Sequence, residues 1–461
     1  MAPATDTPVR QESLRAHNLS LTFRQIVGAP APISRIELAV ATGLTRPTIS
    51  RIVDDLLTGG LIVEAGPSRS GNSGRPRVGL SLAPTGPAGL GLDIRVDTLS
   101  ACVVDLTGTV RHLAFAPRPP VAADALASLA GMGRAAMAAA AAEDLTVVGT
   151  TLAAPGPIVD GSVVRFAPIL GWRDVDAGAA LRPALGPVAV DNDAGLAALG
   201  ELYAGTLRNF VCVSGEFDIG AGIVLDGSLL RGARGWGGSL GHVAVAGDGP
   251  PCACGATGCL QQYAGLGQIL GVAVPVAAQA PGVATPPAAV AAPAPALATP
   301  PAAVAAPAPA LATPAAAVAA PAPALATPAA AVAAREAAVA VRAPAVAATA
   351  PAVAIDALVA AGDTEVIAAL ERAGTALGVA LSALINIIDV DTVLLGGSYS
   401  LLASWLIEGI ERELGRRVLT SGWAPVSVRP APLGPDAAVI GAALSAIDQV
   451  RQDPNSWLAR V

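Results

Sequence analysis

Three cysteines, Cys252, Cys254 and Cys259, fall within eight residues, and His242 stands ten residues before the first of them. Thiolates and an imidazole are the ligands of a closed tetrahedral zinc site, and the glycines among them suit a tight metal knuckle. The set predicts one structural zinc per chain, held by His242, Cys252, Cys254 and Cys259. Buried, unpaired thiols beside a satisfied histidine are the alternative. That description fits Cys102 and Cys212 better, since each is isolated in a strand-like run. An odd number of cysteines, clustered in this way, argues for metal in a reducing compartment rather than for a secreted disulfide framework.

A second group is Asp191-Asn192-Asp193, followed by small residues and Glu201. Asn192 and Asp193 can hydrogen-bond vicinal hydroxyls, the carboxylate more strongly because its bonds are charge-assisted. The same residue types cap helices, and one of the three is expected to cap a helix starting near Ala194.

A third group lies near the N-terminus. Ser34-Arg35-Ile36-Glu37 is a capping box that starts a helix, and Gly43 ends it. Thr45 caps a second helix that tolerates Pro47 in its first turn. Ile49, Ile52, Val53 and Leu56 form its apolar stripe. Residues 35–54 thus read as helix, four-residue turn, helix. The second helix presents Arg46, Thr48, Ser50 and Arg51 near its N-terminal end, where a recognition helix meets base edges. Arginine pairs bidentately with guanine, and Thr and Ser bond bases or phosphates. Two strands, 61–64 and 78–82, flank a wing in which Gly74-Arg75-Pro76 resembles a minor-groove hook. Arg35, Thr45, Arg46, Thr48, Ser50, Arg51, Arg75 and Arg77 are the expected DNA contacts. A helical hairpin with solvated arginines would explain any one of them, but cap, turn, stripe, wing and charge agree.

Bulk properties set the limits. The chain has 461 residues and a net charge of -7, so it has no general affinity for polyanions and any nucleic-acid role must be local. The stretch to Leu82 supplies that locality, with nine arginines against six acids. The N-terminus lacks the apolar core of a signal peptide, so a cytoplasmic protein, associated with the nucleoid through DNA, is expected. No formal charge occurs between Gly249 and Ala334. Within that stretch Pro286, Pro300, Pro314 and Pro328 mark a repeat of period 14. Frequent proline removes amide donors and blocks the continuous helix that lipid requires. Residues 272–352 therefore read as an Ala/Pro-rich, low-complexity insert and not as a membrane segment.

Around the insert, strand-like runs at 90–93, 99–105, 147–152, 188–190, 211–213 and 392–395 alternate with helical patterns at 122–142, 194–204, 363–387 and 401–417. This is an α/β body of layered sheet and helices. The expected organisation is a winged helix-turn-helix over 1–84, a first lobe over 85–190, and a second lobe over 191–271 and 353–461. The final helix is free to pack on the first lobe.

The run from Asp191 to Glu201 resembles the ROK family, named for repressors, open reading frames and kinases. So do Ala154-Pro155-Gly156-Pro157-Ile158, Gly220-Ala221-Gly222-Ile223, Gly241-His242, the cysteine cluster and Leu395-Gly396-Gly397. The resemblance includes the winged helix, the arrangement of the family's xylose-repressor-like branch. It implies a two-lobed, actin-like ATPase fold with sugar in the cleft, and a metal that shapes the loop carrying the sugar-contacting His242. In the family's kinases the residue matching Asp193 is the general base. The implied ligand contacts are Gly156, Asn192, Asp193, Ser239, His242 and Gln261.

The sequence departs from the kinase pattern where phosphate should sit. A loop usually reading Asp-x-Gly-Gly-Thr is here Asp93-Ile94-Arg95-Val96-Asp97-Thr98, and Glu216-Phe217-Asp218 stands where Gly-Thr-Gly is usual. Ser239 and Gln261 occupy positions where the family usually has Glu. Two readings follow. One is a repressor of carbohydrate genes that binds double-stranded operator DNA as a homodimer or tetramer and answers to a sugar or sugar phosphate, without catalysis. The other is a sugar kinase with a fused DNA-binding domain, supported by Asp193 and Gly396-Gly397.

Overall fold

The computed structural model describes residues 11–68, 77–271 and 350–460. The first element is one the sequence reading leaves out, helix α1 (Gln11–Gly28). It packs against α2 (Arg35–Thr42) and α3 (Arg46–Thr58). The α2 cap is reciprocal: Ser34 Oγ accepts from the Glu37 amide at 3.3 Å, and the Glu37 carboxylate accepts from the Ser34 amide at 2.8 Å. Gly43 closes α2 with φ of 71°. The turn is one residue shorter than expected, Gly43-Leu44-Thr45, because Thr45 is itself the cap of α3. Strands β1 (Ile62–Ser68) and β2 (Arg77–Leu82) pair antiparallel. The wing tip with Arg75 lies outside the described residues.

The first lobe is built on β3 (Gly86–Ile94), β4 (Thr98–Asp105), β5 (Val110–Pro117), helix α4 (Ala122–Ala141) and β6 (Leu145–Ala154). A small sheet of β7 (Ile158–Val159), β8 (Val163–Ala167) and β9 (Trp172–Asp176) follows, then α5 (Ala177–Leu185) and β10 (Val188–Asn192). The main sheet has the order β10-β6-β3-β4-β5, with β3, β6 and β10 parallel. Its central strands are covered on both faces, so they read as apolar runs rather than alternations.

The second lobe contains α6 (Asp193–Ala204), β11 (Phe210–Gly215), β12 (Ile219–Leu225), β13 (Ser228–Leu229) and the short helices α7 (Gln261–Ala264) and α8 (Leu266–Ile269). After the insert come α9 (Ala350–Ala360), α10 (Thr364–Ile388), β14 (Thr392–Gly397), α11 (Ala403–Arg417) and β15 (Ser427–Pro430). Their sheet runs β13-β12-β11-β14-β15. Helix α9 begins inside the segment assigned to the insert, whose residues 272–349 lie outside the described ones. Helix α10 is long and apolar enough to cross a membrane, but Leu370, Leu377, Leu381 and Ile385 bury its apolar face in the second-lobe core.

Two final helices, α12 (Ala437–Gln452) and α13 (Asn455–Leu458), join the parts. Helix α12 lies on the first-lobe sheet with α6 alongside. A Cβ at Gly91 would stand 2.1 Å from the Val439 carbonyl, and one at Gly441 would stand 1.8 Å from the Leu196 carbonyl. Only glycine permits either approach. At its far end α12 enters the head: Ile447 and Val450, with Leu106 and Trp457, share one core with Phe23, Ile49, Leu56 and Leu61.

Candidate ligand cleft, metal knuckle and DNA-reading helix

A cavity of about 270 Å³ opens between the lobes. Gly156, Asn192, Asp193, Ser239 and His242 line it, as do Phe166, Asp218, Trp236 and Cys254. The chain brings these together because β10 ends and α6 begins at the lobe boundary. Asn192 is the residue that caps α6: its Oδ1 accepts from the Gly195 amide at 3.0 Å, and its Nδ2 donates to the Gly156 carbonyl at 3.3 Å. Much of its hydrogen-bonding capacity is therefore spent on holding the cavity wall. Asp193 Oδ1 accepts from the Ala194 amide at 2.8 Å. Burial, reinforced by Asp93 and Asp218, pushes the Asp193 carboxyl up to about 7, against weaker opposition from that amide and from Arg95. At the rim, Trp236 donates to the Ile158 carbonyl at 2.8 Å and Arg231 pairs with Asp191 at 2.5 Å, so both lobes close the mouth.

Gln261 is not where expected. Its Oε1 accepts from the Ile219 amide at 2.9 Å and its Nε2 donates to the Phe217 carbonyl. Both ends of the amide thus brace the β11–β12 turn, and Gln261 is not among the residues lining the cavity. An amide can satisfy an N–H and a C=O of the same turn at once, which a carboxylate cannot. Asp218 and Trp236 are cavity residues that the ligand expectation omitted. Glycine-rich sequence around Trp236 was the available signal for a chain passing close over a ligand.

Beyond Asp193 the cleft narrows to about 40 Å³, bounded by Asp93, Arg95, Glu216, Asp218 and Pro435. That is room for a few waters, each needing about 10–15 Å³. Arg95 fills the space, with Nε 2.7 Å from Asp93 and Nη1 3.5 Å from Glu216. Glu216 also accepts from the Ser398 amide at 3.2 Å and hydroxyl at 2.8 Å.

The four knuckle residues converge. Their ligand atoms all lie within 4.8 Å of one another. His242 Nδ1 is 3.6 Å from Cys252 Sγ, and the sulfurs of Cys254 and Cys259 are 3.7 Å apart. Bonds of about 2.0–2.3 Å to a tetrahedral centre imply ligand edges of roughly 3.6–3.8 Å. The donor set therefore fits a metal ion in both chemistry and size. Because His242 turns Nδ1 toward Cys252 and also lines the cavity, the knuckle and the cleft share this side chain. Cys102 and Cys212 are fully buried in the core, apart from the cluster.

In the head, Ile49, Ile52, Val53 and Leu56 are buried while Arg46 and Arg51 are exposed, with no ion-pair partner among the described residues. Thr45 and Thr48 bond each other through their hydroxyls at 2.8 Å, and Ser50 is half-buried. Arg35 stands differently: Asp54 at 3.1 Å and Glu64 at 3.8 Å offset its charge. Arg77 begins β2.

Comparison with known proteins bears on this geometry directly. The ROK family model matches residues 89–270 and 331–449, more than half of the chain. The chain belongs to the ROK family. Among ROK relatives, the xylose repressor of Bacillus subtilis is 30% identical over 263 residues, covering 55% of this chain and 67% of that protein. A glucokinase of Streptomyces coelicolor is 34% identical over 183 residues, covering 38% of this chain and 55% of the glucokinase. The crystal structure of a ROK family transcriptional regulator, described as a homologue of the E. coli MLC protein, superposes with a TM-score of 0.67. At 23% identity it covers 97% of this chain and all of that one, and shows the shared fold. A winged head on a two-lobed, actin-like ROK body is thus the architecture of this protein.

Proposed function

We propose that this protein is a sugar-responsive transcriptional repressor of carbohydrate genes, acting on operator DNA in the cytoplasm as a homodimer. One observation carries the reading. A helix-turn-helix with exposed Arg46 and Arg51, which have no ion-pair partner among the described residues, is fused, through a shared hydrophobic core, to α12 of a body whose cleft carries Asn192, Asp193, Asp218, Ser239 and His242 in its wall. The similarity to a xylose repressor supports it.

In this reading α3 enters the major groove. Arg46, Thr48, Ser50 and Arg51 meet bases or phosphates, Thr45 and Arg35 stand beside the backbone, and Arg75 and Arg77 belong to the wing. Two heads related by a two-fold axis read a pseudo-palindrome. Asp193 and Asp218 form hydrogen bonds with hydroxyls of the effector, His242 and Ser239 bond further hydroxyls, and Gly156 and Asn192 shape the wall. His242, Cys252, Cys254 and Cys259 hold a structural zinc, which supplies no reactive position because all four sites are protein ligands. Its contribution is to fix the His242 loop.

A kinase reading is favoured by the similarity to a glucokinase and by Asp193, whose carboxyl burial pushes up to about 7, suited to a general base. Phosphoryl transfer, however, depends on positioning a triphosphate and neutralising its charge. Arg95 fills that position, and Glu216 and Asp218 add negative charge near it. The protein is accordingly expected not to phosphorylate sugars.

The test is a gel shift on DNA upstream of the protein's own gene. Arg46→Ala and Arg51→Ala are each expected to cost about 1–3 kcal/mol if the side chain contacts a base. Hexoses, pentoses and N-acetylated sugars are then screened for an effect on the shifted band, alongside an ATP-consumption assay. Unchanged affinity in both variants would remove α3 from the interface. Sugar-dependent turnover that disappears in Asp193→Asn would replace the repressor reading with the kinase.

A further inference from the structure

The innermost part of the cleft is closed by a guanidinium. Arg95, in the turn after β3, donates Nε to Asp93 and Nη2 to the carbonyl of Pro435, and its buried Nη1 faces Glu216 at 3.5 Å as an ion pair without a hydrogen bond. Asp93 and Arg95 belong to the first lobe, Glu216 to the β11–β12 turn of the second, and Pro435 to the turn that leads into α12. One side chain thus ties three segments.

The electrostatics make the tie directional. Burial alone would drive Arg95 toward neutrality, but Asp93, Glu216 and Asp436 outweigh it and hold the guanidinium charged. Burial raises the carboxyls of Glu216 and Asp436; Arg95 pulls both back down, helped at Glu216 by the hydrogen bonds from Ser398. Asp93 Oδ1 and Asp436 Oδ1 are buried and accept no hydrogen bond among the described residues. Remove the guanidinium, and three acids face one another in a space of low dielectric. Such groups repel unless a cation or protons arrive.

The other end of α12 is in the head. From Asp436 the helix runs 16 residues, about 24 Å at 1.5 Å per residue, and buries Ile447 and Val450 in the head core. Just beyond it, Trp457 donates to the Gly59 carbonyl at 2.7 Å at the end of α3. Glu201 of α6 accepts from the Leu433 amide at 2.8 Å, so the segment before α12 is held from both sides. Close contact at Gly91 and Gly441 leaves the helix no slack to absorb a shift at one end.

We propose that Arg95 is a built-in clasp. Its charge stands in for a bound cation, joining the lobes at the cleft floor and anchoring the start of α12, and the state of the clasp sets the pose of the DNA-reading head. Only the last step rests on the regulator reading above. Effector bound at Asp193, which borders the same narrow space as Arg95, acts on DNA through this contact.

The decisive measurement is hydrogen–deuterium exchange on the full, zinc-loaded chain, comparing wild type with Arg95→Ala and Arg95→Lys. In Arg95→Ala, amides of residues 437–443 and of the head junction, 57–62, are expected to exchange about tenfold faster. Arg95→Lys, which keeps the charge without the fork, should recover part of the protection. Millimolar magnesium should restore protection in Arg95→Ala and leave wild type unchanged, because the uncovered carboxylates form a hard oxygen site. Should Arg95→Ala not fold, Arg95→Lys carries the same comparison at both segments. Wild-type exchange at 437–443, or faster exchange there with 57–62 unaltered, would overturn the clasp, and indifference to magnesium would overturn its counter-ion role. Gel shifts run in parallel separate the two ideas. Wild type that shifts no DNA defeats the regulator reading, while exchange still decides the clasp.

Discussion

Asp193 and Arg95 stand a short way apart in the same cleft and are shifted in the same direction for different reasons. Arg95 is held charged by its acids, whereas the Asp193 carboxyl is pushed up by burial and by Asp93 and Asp218. The consequence for stability has a definite sign. An unfolded aspartate releases its proton near its ordinary 3.8, but the folded Asp193 keeps it to about 7. Between those values the native state binds the extra proton, so stability falls as pH rises and levels off above about 7. Glu201, buried and likewise pushed up to about 7, adds a contribution of the same sign. Melting temperature is therefore expected to decline from pH 4 to pH 7, and Asp193→Asn should flatten part of that decline. Identical pH profiles for variant and wild type would show that Asp193 ionises normally. Gln261 and Arg35 teach the converse lesson at this scale. Sequence places Gln261 at the ligand and Arg35 at DNA, whereas the fold engages Gln261 in a turn and offsets the Arg35 charge with two acids.

Elements differ in how plainly they announce themselves. The capping box at Ser34, the Gly43 turn, the stripe of α3 and the cysteine knuckle were legible because each depends on neighbours in sequence. Helix α1 was not, since its buried apolar residues Leu19, Phe23 and Ile26 are few and find their partners far along the chain, in α12 and α13, as well as in α2 and α3. Strand β5, half-buried throughout, and the small sheet β7-β8-β9 have too little apolar alternation to be read. Helix α12 was legible only as a final helix free to pack on the first lobe, without bounds, because small and apolar residues cover it on nearly all sides. The floor of the cleft lay beyond reach for another reason: sequence showed that glycines were missing there, and only the fold shows that Arg95 fills the gap. The knuckle gives the test at this scale. Purified protein is expected to carry one zinc per chain, and Cys254→Ser to lose it. Without the closed site the loop bearing Ser239 and His242 loses its brace, and effector affinity should fall with metal content. Metal analysis finding no zinc in wild type prepared without chelator would end that assignment.

At the scale of the whole molecule, the head is not an appendage. Its apolar core includes Leu106 from the β4–β5 turn, Ile447 and Val450 from α12, and Trp457 from α13. Trp457 is 8% exposed, its indole nitrogen is bonded to Gly59, and a Cβ at Gly59 would collide with Leu458. A reading head cut at residue 84 would leave these contacts behind and expose the underside of α1 and α3. Small domains bury a lower fraction of their surface, so a loss of this kind weighs heavily on them. Head and body are thus expected to unfold as one cooperative unit, with a single calorimetric transition in the intact chain. Trp457→Ala should cost about 3–5 kcal/mol, the range for truncating a buried aromatic, and should lower operator affinity although Trp457 lies on the body side of the junction. Two separate transitions in wild type, with the earlier one alone shifted by Trp457→Ala, would instead make the head an independent domain, and a signal from the cleft would then need some route other than α12.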